Sequence, residues 1–254
     1  MEPTLIFDSH LDLSWNALGF NRDLRLPLAE IRRREAGQTE KGSCRNTVCF
    51  PEMRRGRVGL CVATQLARCE PPVPWNPALV SRLRAHYSQE QAWAATQGQL
   101  AWYREMEAGG EMVQIRNRQQ LDAHLQLWRD PGLEAKGPRP IGYILSLENA
   151  DSIVSLRHLE SSYAAGLRAV GPVHYGPGIH GHGTYSEGPM TARGRELLRE
   201  MERLGIILDV THLCDEGFTD ALRIFNGPVW ASHSNCRAIA NWSRQFNDDQ
   251  LREL

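Results

Sequence analysis

The sequence predicts an α/β fold, because short apolar segments typical of strands alternate along the chain with longer segments typical of helices. Such alternation favours parallel strands joined by helical crossovers, and it fits either a doubly wound sheet or a (β/α)8 barrel of the TIM type. A second observation is that polar side chains able to bind metal ions recur where the apolar segments end. With 254 residues, 41% of them hydrophobic, the chain can bury a full core, and we expect one domain over residues 1–254.

Four strands and two helices are predicted in the first part of the chain. The strands are short apolar runs bounded by polar or glycine-containing segments. They lie at 4–7, 58–63, 112–115 and 140–147. An Asn-Pro pair at 76–77 and a Gly-Gly pair at 109–110 mark the ends of a helix expected over about 76–107. A second helix is expected at 118–128, and residues 35–57 are predicted to form a long loop.

The same alternation continues after Glu148. Helices are expected at 153–165, 192–204 and 216–224, and strands at 167–173, 206–210 and 229–232. A polar, glycine-rich loop is expected between the strand that ends at 173 and the helix that begins at 192. This loop lacks the strand-Gly-x-Gly-x-x-Gly-helix context of a dinucleotide site, so we do not interpret it as a phosphate-binding loop.

Charge and hydropathy exclude several classes of partner. Lys and Arg number 29 against 30 Asp and Glu, so no net field attracts the chain to nucleic acid or to anionic lipid. No segment approaches the ~18 consecutive apolar residues of a membrane span, and no signal-like segment opens the chain. The six cysteines show no CxxC spacing, so reduced thiols are expected. We therefore expect a cytoplasmic protein with a small-molecule partner.

Six side chains able to bind metal ions follow the predicted strands at equivalent positions. They are His10, Asp12, Glu148, His174, His212 and His233. In a parallel barrel the carboxyl ends of all strands meet at one mouth, where these side chains would converge. Each alone has a structural explanation, since a histidine at a strand end is more often hydrogen-bonded than ligating, and Glu148 suits the positive start of the next helix. Together they supply enough ligands for two metal ions.

The segments around these residues resemble the membrane (renal) dipeptidases, binuclear zinc peptidases of the amidohydrolase-like barrel group. The resemblance extends over essentially the whole chain, and it implies a TIM-type barrel. It rests on Asp8-Ser9-His10-Leu11-Asp12, on the segments 147–153, 166–174 and 204–212, and on Ser232-His233-Ser234-Asn235 followed by Ser243-Arg244.

This resemblance implies a zinc-dependent dipeptidase with two zinc ions, in which a hydroxide held between the metals attacks the peptide bond of a dipeptide. It implies that His10 and Asp12 bind one zinc ion. His212 and His233 would bind the other, and Glu148 would bridge both.

The resemblance also implies two substrate-binding residues. His174 would stabilise the negative charge on the substrate's carbonyl oxygen, and Arg244 would bind the free α-carboxylate with its planar fork of donors. Relatives that bridge their metals with a carboxylated lysine are a poorer match. Lys41 lies in an irregular loop and Lys136 precedes its strand, so neither is placed for that role.

Two features depart from the family pattern. Asn149 and Ala150 follow Glu148 where the family usually has two glycines, and their side chains are expected to narrow the substrate pocket. Family members also continue beyond the position of Leu254, with the last strand or strands and an aspartate that assists the substrate's amine. We therefore expect a barrel that is incomplete at its C-terminus. Because folded proteins avoid unclosed strand edges, we expect a missing C-terminal segment or a partner chain, as in a homodimer, to complete it.

Two other functions remain open at this point. Asn149 and Ala150 suggest a hydrolase on the same scaffold that acts on another small amide, such as an N-acyl amino acid. The missing aspartate suggests a non-catalytic, metal-stabilised binding protein. The glycine-rich loop that carries His180 and His182 is expected to line the pocket entrance rather than to bind a metal ion.

Overall fold

The computed structural model describes residues 4–40, 42–71, 85–130 and 137–254. Lys41, Lys136 and the predicted helix start at 76–77 lie outside these residues. The chain forms two compact units, one of residues 1–65 and 98–145 and the other of residues 66–97 and 146–254. The single domain over residues 1–254 stays a prediction.

Strands and helices alternate along both units. The strands are β1 (Ile6–Leu11), β2 (Val58–Leu66), β3 (Arg68–Cys69), β4 (Ala85–His86), β5 (Met112–Gln114), β6 (Ile141–Glu148), β7 (Leu167–Gly171), β8 (Ile207–Asp209) and β9 (Val229–Trp230). The helices are α1 (Leu13–Gly19), α2 (Leu28–Arg34), α3 (Phe50–Arg55), α4 (Gln89–Ala108), α5 (Arg118–Arg129), α6 (Leu156–Ala164), α7 (Ala192–Leu204), α8 (Asp215–Ile224) and α9 (Asp248–Glu253). A single 3-10 turn, Ala150–Ser152, follows β6.

Parallel strands form the core of the first unit. β1 pairs with β2 and β5 pairs with β6, in both cases in parallel, and β2 and β6 are neighbours in the sheet. β2 and β6 are almost entirely buried, as expected for the continuous apolar runs that occupy the centre of parallel sheets. The rings of Tyr103 and Tyr143 stack 5.1 Å apart in this core.

The second unit repeats the parallel arrangement. In the sheet, the end of β6 is followed by β7, β8 and β9. β8 pairs in parallel with β7 on one side and with β9 on the other. Helices α7 and α8 turn apolar faces inward, burying Leu197, Leu198 and Phe218. Parallel strands in chain order, with helices between them, are the pattern of a TIM-type barrel, so the predicted fold class of an incomplete α/β barrel is confirmed.

β1 and the stretch predicted as a long loop differ from the sequence prediction in the first unit. β1 runs over Ile6–Leu11 instead of 4–7, because pairing with β2 continues through the polar residues as far as Leu11 opposite Ala63. The stretch predicted as a long loop contains α3, which has a proline in its first turn and buries Phe50 and Met53. Burial of these two side chains supplies the packing energy that so short a helix needs.

Among the helices of the described residues, none combines the length and the apolar character that crossing a bilayer requires.

Candidate metal centre

Four of the strand-end residues lie together in the second unit. Glu148 is the last residue of β6, and His174, His212 and His233 each stand three residues after the end of β7, β8 or β9. The carboxyl ends of neighbouring parallel strands lie at the same edge of a sheet. Equal spacing from those ends therefore brings three imidazole rings to one carboxylate.

The Glu148 carboxylate is the common neighbour of the three rings. Its Oε1 atom lies 2.9 Å from Nε2 of His212, 3.3 Å from Nε2 of His233 and 3.6 Å from Nε2 of His174. The Nε2 atoms of His212 and His233 are 3.2 Å apart. Glu148, His174 and His212 are buried, whereas the His233 side chain is 30% exposed. The cluster therefore has one open side, at His233.

Burial keeps His212 neutral. Its surroundings lower its pKa to about 3, mainly through desolvation, which outweighs the opposing effect of Glu148. The Thr184 hydroxyl lies 3.4 Å from the His212 carbonyl oxygen, to which it can donate, and 3.2 Å from Nδ1 of the same residue. If the hydroxyl donates to the carbonyl, its oxygen accepts from Nδ1–H. The lone pair of Nε2 then faces the carboxylate of Glu148, an arrangement of two acceptors that a cation between them would stabilise.

The donor set and its spacing fit a zinc ion. Zinc binds imidazole nitrogen and carboxylate oxygen at about 2.0–2.2 Å in tetrahedral geometry, which places two ligand atoms ~3.4 Å apart. The three distances among Oε1 of Glu148 and the Nε2 atoms of His212 and His233, which are 2.9, 3.2 and 3.3 Å, lie close to that separation. Glu148, His174 and His212 form one group of atoms that could hold a metal ion.

Arg244 lies against this cluster. Its guanidinium donates to Ser234 Oγ at 3.1 Å and to the carbonyl oxygen of His233 at 2.9 Å, and its Nη2 atom is 3.4 Å from Nε2 of His212. Burial lowers the pKa of Arg244, and this is opposed by the negative charge of Glu148 and by the Tyr175 side chain. The structure thus places a buried cation beside the carboxylate and the imidazoles.

The first unit holds the remaining predicted pair. His10 is near the end of β1 and Asp12 follows it directly, with 3.7 Å between His10 Nε2 and Asp12 Oδ1. The Thr64 hydroxyl of β2 donates to the same carboxylate oxygen. A cleft of about 310 Å³ borders Asp12, and its walls include the rings of Trp15 and Phe20, which meet edge to face 5.3 Å apart.

Asn149 and Ala150 follow the Glu148 carboxylate directly, and their effect on the substrate pocket stays a prediction. Both residues are buried, and Asn149 accepts from the backbone N–H of Asp151 at 3.0 Å and donates to its carboxylate at 2.9 Å. Asn149 adopts φ +74°, in the left-handed region that asparagine tolerates better than most residues. The local hydrogen bonds therefore hold this side chain against Asp151.

Three residues next to the cluster were not predicted from the sequence. Thr184 and Ser232 contact its histidines directly, at Nδ1 of His212 and of His233, and Asp209 contacts Ser232. Asp209 could have been found from the sequence, because it is an acidic residue that ends an apolar strand, as Glu148 does. Thr184 could not have been found in this way, because it lies in an irregular loop. His180, predicted at the pocket entrance, is instead buried.

Comparison with known proteins gives one family match and several partial relatives. The family model for membrane dipeptidases, peptidase family M19, matches residues 1–254. An uncharacterised protein from the pqqA 5′ region of Klebsiella pneumoniae is 34% identical over 106 residues, 39% of this chain and 39% of that protein. Dipeptidase tcpJ of Claviceps purpurea is 30% identical over 112 residues, 42% of this chain and 25% of that protein. The matches thus span well under half of these relatives' own lengths.

Solved structures share the fold. Dipeptidase AC, a metallopeptidase of family M19, superposes with a TM-score of 0.71 at 24% identity over 98% of this chain and 68% of that one. A metallopeptidase from Rhodobacter sphaeroides, bound to a phosphinate mimic of the dipeptide L-Ala-D-Ala, superposes with a TM-score of 0.66. The two are 23% identical, and the match covers 98% of this chain and 70% of that one. The probable dipeptidase PvdM from Pseudomonas aeruginosa superposes with a TM-score of 0.68 at 16% identity, over 99% of this chain and 57% of that one.

Proposed function

Because this chain belongs to the membrane dipeptidase family, peptidase family M19, we propose that it is a zinc-dependent dipeptidase that hydrolyses the peptide bond of small peptides. The observation that carries the proposal is the Glu148 carboxylate, which is faced by the Nε2 atoms of three histidines within 3.6 Å. Burial lowers the pKa of His212, so the ring nearest the carboxylate is neutral, and a carboxylate beside a neutral imidazole is a metal-binding arrangement, since a structural ion pair would favour a protonated ring.

The proposed ligands number five. His10 and Asp12 would hold one zinc ion, His212 and His233 would hold the other, and Glu148 would be the ligand that both share. Their donor types are those zinc prefers, and the low pKa of His212 supports the role of that ring, because only a neutral imidazole can donate its lone pair to a metal. Two zinc ions, when bound, act as Lewis acids and lower the pKa of a water molecule toward ~7.

The remaining residues bind and polarise the substrate. Arg244 binds the free α-carboxylate, and its contacts with Ser234 and the His233 carbonyl oxygen hold the guanidinium in place before substrate arrives. His174 holds a proton on Nε2 and donates it as a hydrogen bond to the carbonyl oxygen of the scissile bond, where negative charge develops. The ring of Tyr175 packs edge-on against His174 at 4.7 Å and limits its rotation.

A hydrolase of N-acyl amino acids is the weaker candidate. Its support is the pair Asn149 and Ala150 beside Glu148, and of these Asn149 is held by hydrogen bonds to Asp151. The family match, by contrast, is to dipeptidases. The dipeptidase is therefore the better-supported proposal.

Metal analysis and a substrate panel test the proposal. The full chain should contain about two zinc ions per chain and should hydrolyse dipeptides. Glu148→Gln should abolish hydrolysis and reduce the zinc content, whereas Glu105→Gln, which changes an exposed carboxylate, should leave both unchanged. Folded wild-type chain with less than one metal ion would refute the metal centre. Hydrolysis of N-acyl amino acids alone would favour the weaker candidate, and full metal content without any turnover would indicate a binding protein.

A further inference from the structure

We infer that Asp209 and Ser232 are positioning residues that fix the tautomer of His233, and so present the lone pair of its Nε2 atom to the metal. This inference rests on the proposed function in one respect, namely that His233 is a metal ligand. Hydrogen bonds run from Asp209 through Ser232 to His233, and we call this series the relay. These hydrogen bonds are present without a metal ion.

Asp209 is held as an acceptor by three donors. Its carboxylate is buried at the end of β8, and Oδ1 accepts the backbone N–H groups of Thr211 at 3.1 Å and Ser232 at 3.2 Å. Its other oxygen, Oδ2, lies 2.5 Å from Ser232 Oγ. The register of β8 and β9 explains this contact, because Asp209 is opposite Trp230 and Ser232 follows two residues later.

The direction of the relay follows from counting protons. A serine hydroxyl carries one hydrogen, and the short contact to Oδ2 assigns that hydrogen to Asp209. The Ser232 oxygen is also 2.8 Å from Nδ1 of His233, and with its hydrogen directed at Asp209 it can only accept there. Nδ1 of His233 therefore carries the ring proton. The Thr211 hydroxyl, 3.4 Å from Ser232 Oγ, adds a second donor that is consistent with this direction.

In the neutral ring of His233, a proton on Nδ1 leaves the Nε2 atom unprotonated. This atom lies 3.3 Å from Oε1 of Glu148 and 3.2 Å from Nε2 of His212, on the side where the metal would bind. Histidines that bind metals commonly donate their other ring N–H to an acceptor, which fixes the tautomer and the ring orientation. Here the acceptor of the His233 N–H is the hydroxyl oxygen of Ser232, which in turn donates to the Asp209 carboxylate on the neighbouring strand.

Asp209→Asn is the sharpest variant, because it keeps the shape and reverses the relay. The two backbone N–H groups retain the amide oxygen at the Oδ1 position, so the NH2 group faces Ser232 Oγ and donates to it. Ser232 must then donate to Nδ1 of His233, and the ring proton moves to Nε2. Ser232→Ala removes the relay without reversing it, and Ser232→Thr keeps the hydroxyl.

The test has two readouts, both independent of turnover. In metal-free protein, nitrogen-15 NMR of the His233 ring should show the proton on Nδ1 in the wild type and in Ser232→Thr, and on Nε2 in Asp209→Asn. In zinc titrations, Asp209→Asn and Ser232→Ala should bind the ion at the His233 position about 10- to 100-fold more weakly, the usual effect of losing such a partner. Ser232→Thr should restore the affinity.

Asp220→Asn is the matched control. It removes a partly buried carboxylate of the same unit, which accepts from the backbone N–H of Met190 and pairs with Arg195. It should leave the tautomer and the zinc affinity unchanged. A wild-type proton on Nε2, or an unchanged tautomer in Asp209→Asn, would overturn the relay whether or not zinc binds. A relay confirmed in metal-free protein that binds no zinc would instead count against the proposed function.

Discussion

The Nε2 atoms of His212 and His233 lie 3.2 Å apart, and both face the same oxygen of Glu148. Three atoms that each prefer to accept a hydrogen bond or to bind a cation are thereby packed within one small volume. Lone pairs so arranged repel one another unless positive charge offsets them. Arg244 supplies positive charge at one side, 3.4 Å from Nε2 of His212, and a metal ion bound among the three atoms would offset the repulsion further. This leads to predictions about stability as well as about catalysis.

Zinc should stabilise the folded chain. A ligand that binds only the folded state raises the free energy of unfolding by about 2.7 kcal/mol at a concentration 100 times its Kd. Thermal unfolding followed with and without a chelator should show a higher midpoint in zinc. Glu148→Gln should lose most of this shift, whereas Glu105→Gln should retain it. An unchanged midpoint in the wild type would contradict a metal in this cluster.

Acid should destabilise the metal-free chain through two buried histidines. Burial lowers the pKa of His180 and of His212 to about 3, whereas an unfolded histidine titrates near ~6.5. Between these values the unfolded chain binds more protons than the folded chain. The free energy of unfolding therefore falls as the pH is lowered from about 6.5 toward about 3, by up to ~1.4 kcal/mol per pH unit for each histidine.

His180→Leu separates the two contributions. Neither ring nitrogen of His180 has a hydrogen-bond partner among the described residues, so an apolar side chain of similar volume should cost little at pH 7. Urea unfolding at several pH values should show a smaller slope of stability against pH in the variant than in the wild type. Equal slopes would show that His180 does not titrate on unfolding.

The strand-end residues could be predicted from the sequence because their signal is local. An apolar strand followed by a metal-competent side chain is visible at Glu148, His174 and His212, and parallel topology then brings the strand ends together. The relay from Asp209 to His233 could not be predicted, since it depends on the register of β8 against β9. The hydrogen bonds from Asn149 to Asp151 could not be predicted for a related reason: they depend on the local backbone, and a family comparison of residue types does not contain them.

Removing the Asp151 carboxylate should strongly destabilise the second unit. This buried group accepts from Asn149 at 2.9 Å and from the backbone N–H groups of Cys69 and Ile179, each at 3.2 Å. Asp151→Ala leaves two buried donors and one partly buried donor without an acceptor, and each unsatisfied buried group costs about 1–3 kcal/mol. Urea unfolding should therefore show a loss of at least ~2 kcal/mol. A loss below ~1 kcal/mol would mean that water replaces the carboxylate.

Replacing Arg244 by lysine should weaken the recognition of a free C-terminal carboxylate. A lysine retains the charge but loses the planar fork, and a hydrogen bond to a charged group is worth about 1.5–3 kcal/mol, or roughly 10- to 100-fold in kcat/KM. The variant should show this loss on a dipeptide with a free carboxylate. On the corresponding dipeptide amide, which offers no carboxylate, wild type and variant should be nearly equal.

Comparing two substrates isolates the interaction from general damage to the site. If Arg244→Lys merely loosened the cluster around His212 and His233, the dipeptide and its amide would lose activity by the same factor. Only loss of a contact with the carboxylate makes the factors differ. Arg237→Lys, which alters an arginine paired with Asp215 at 2.7 Å, is the matched control and should change neither value. Equal losses on both substrates would assign Arg244 to the support of the cluster instead of to the substrate.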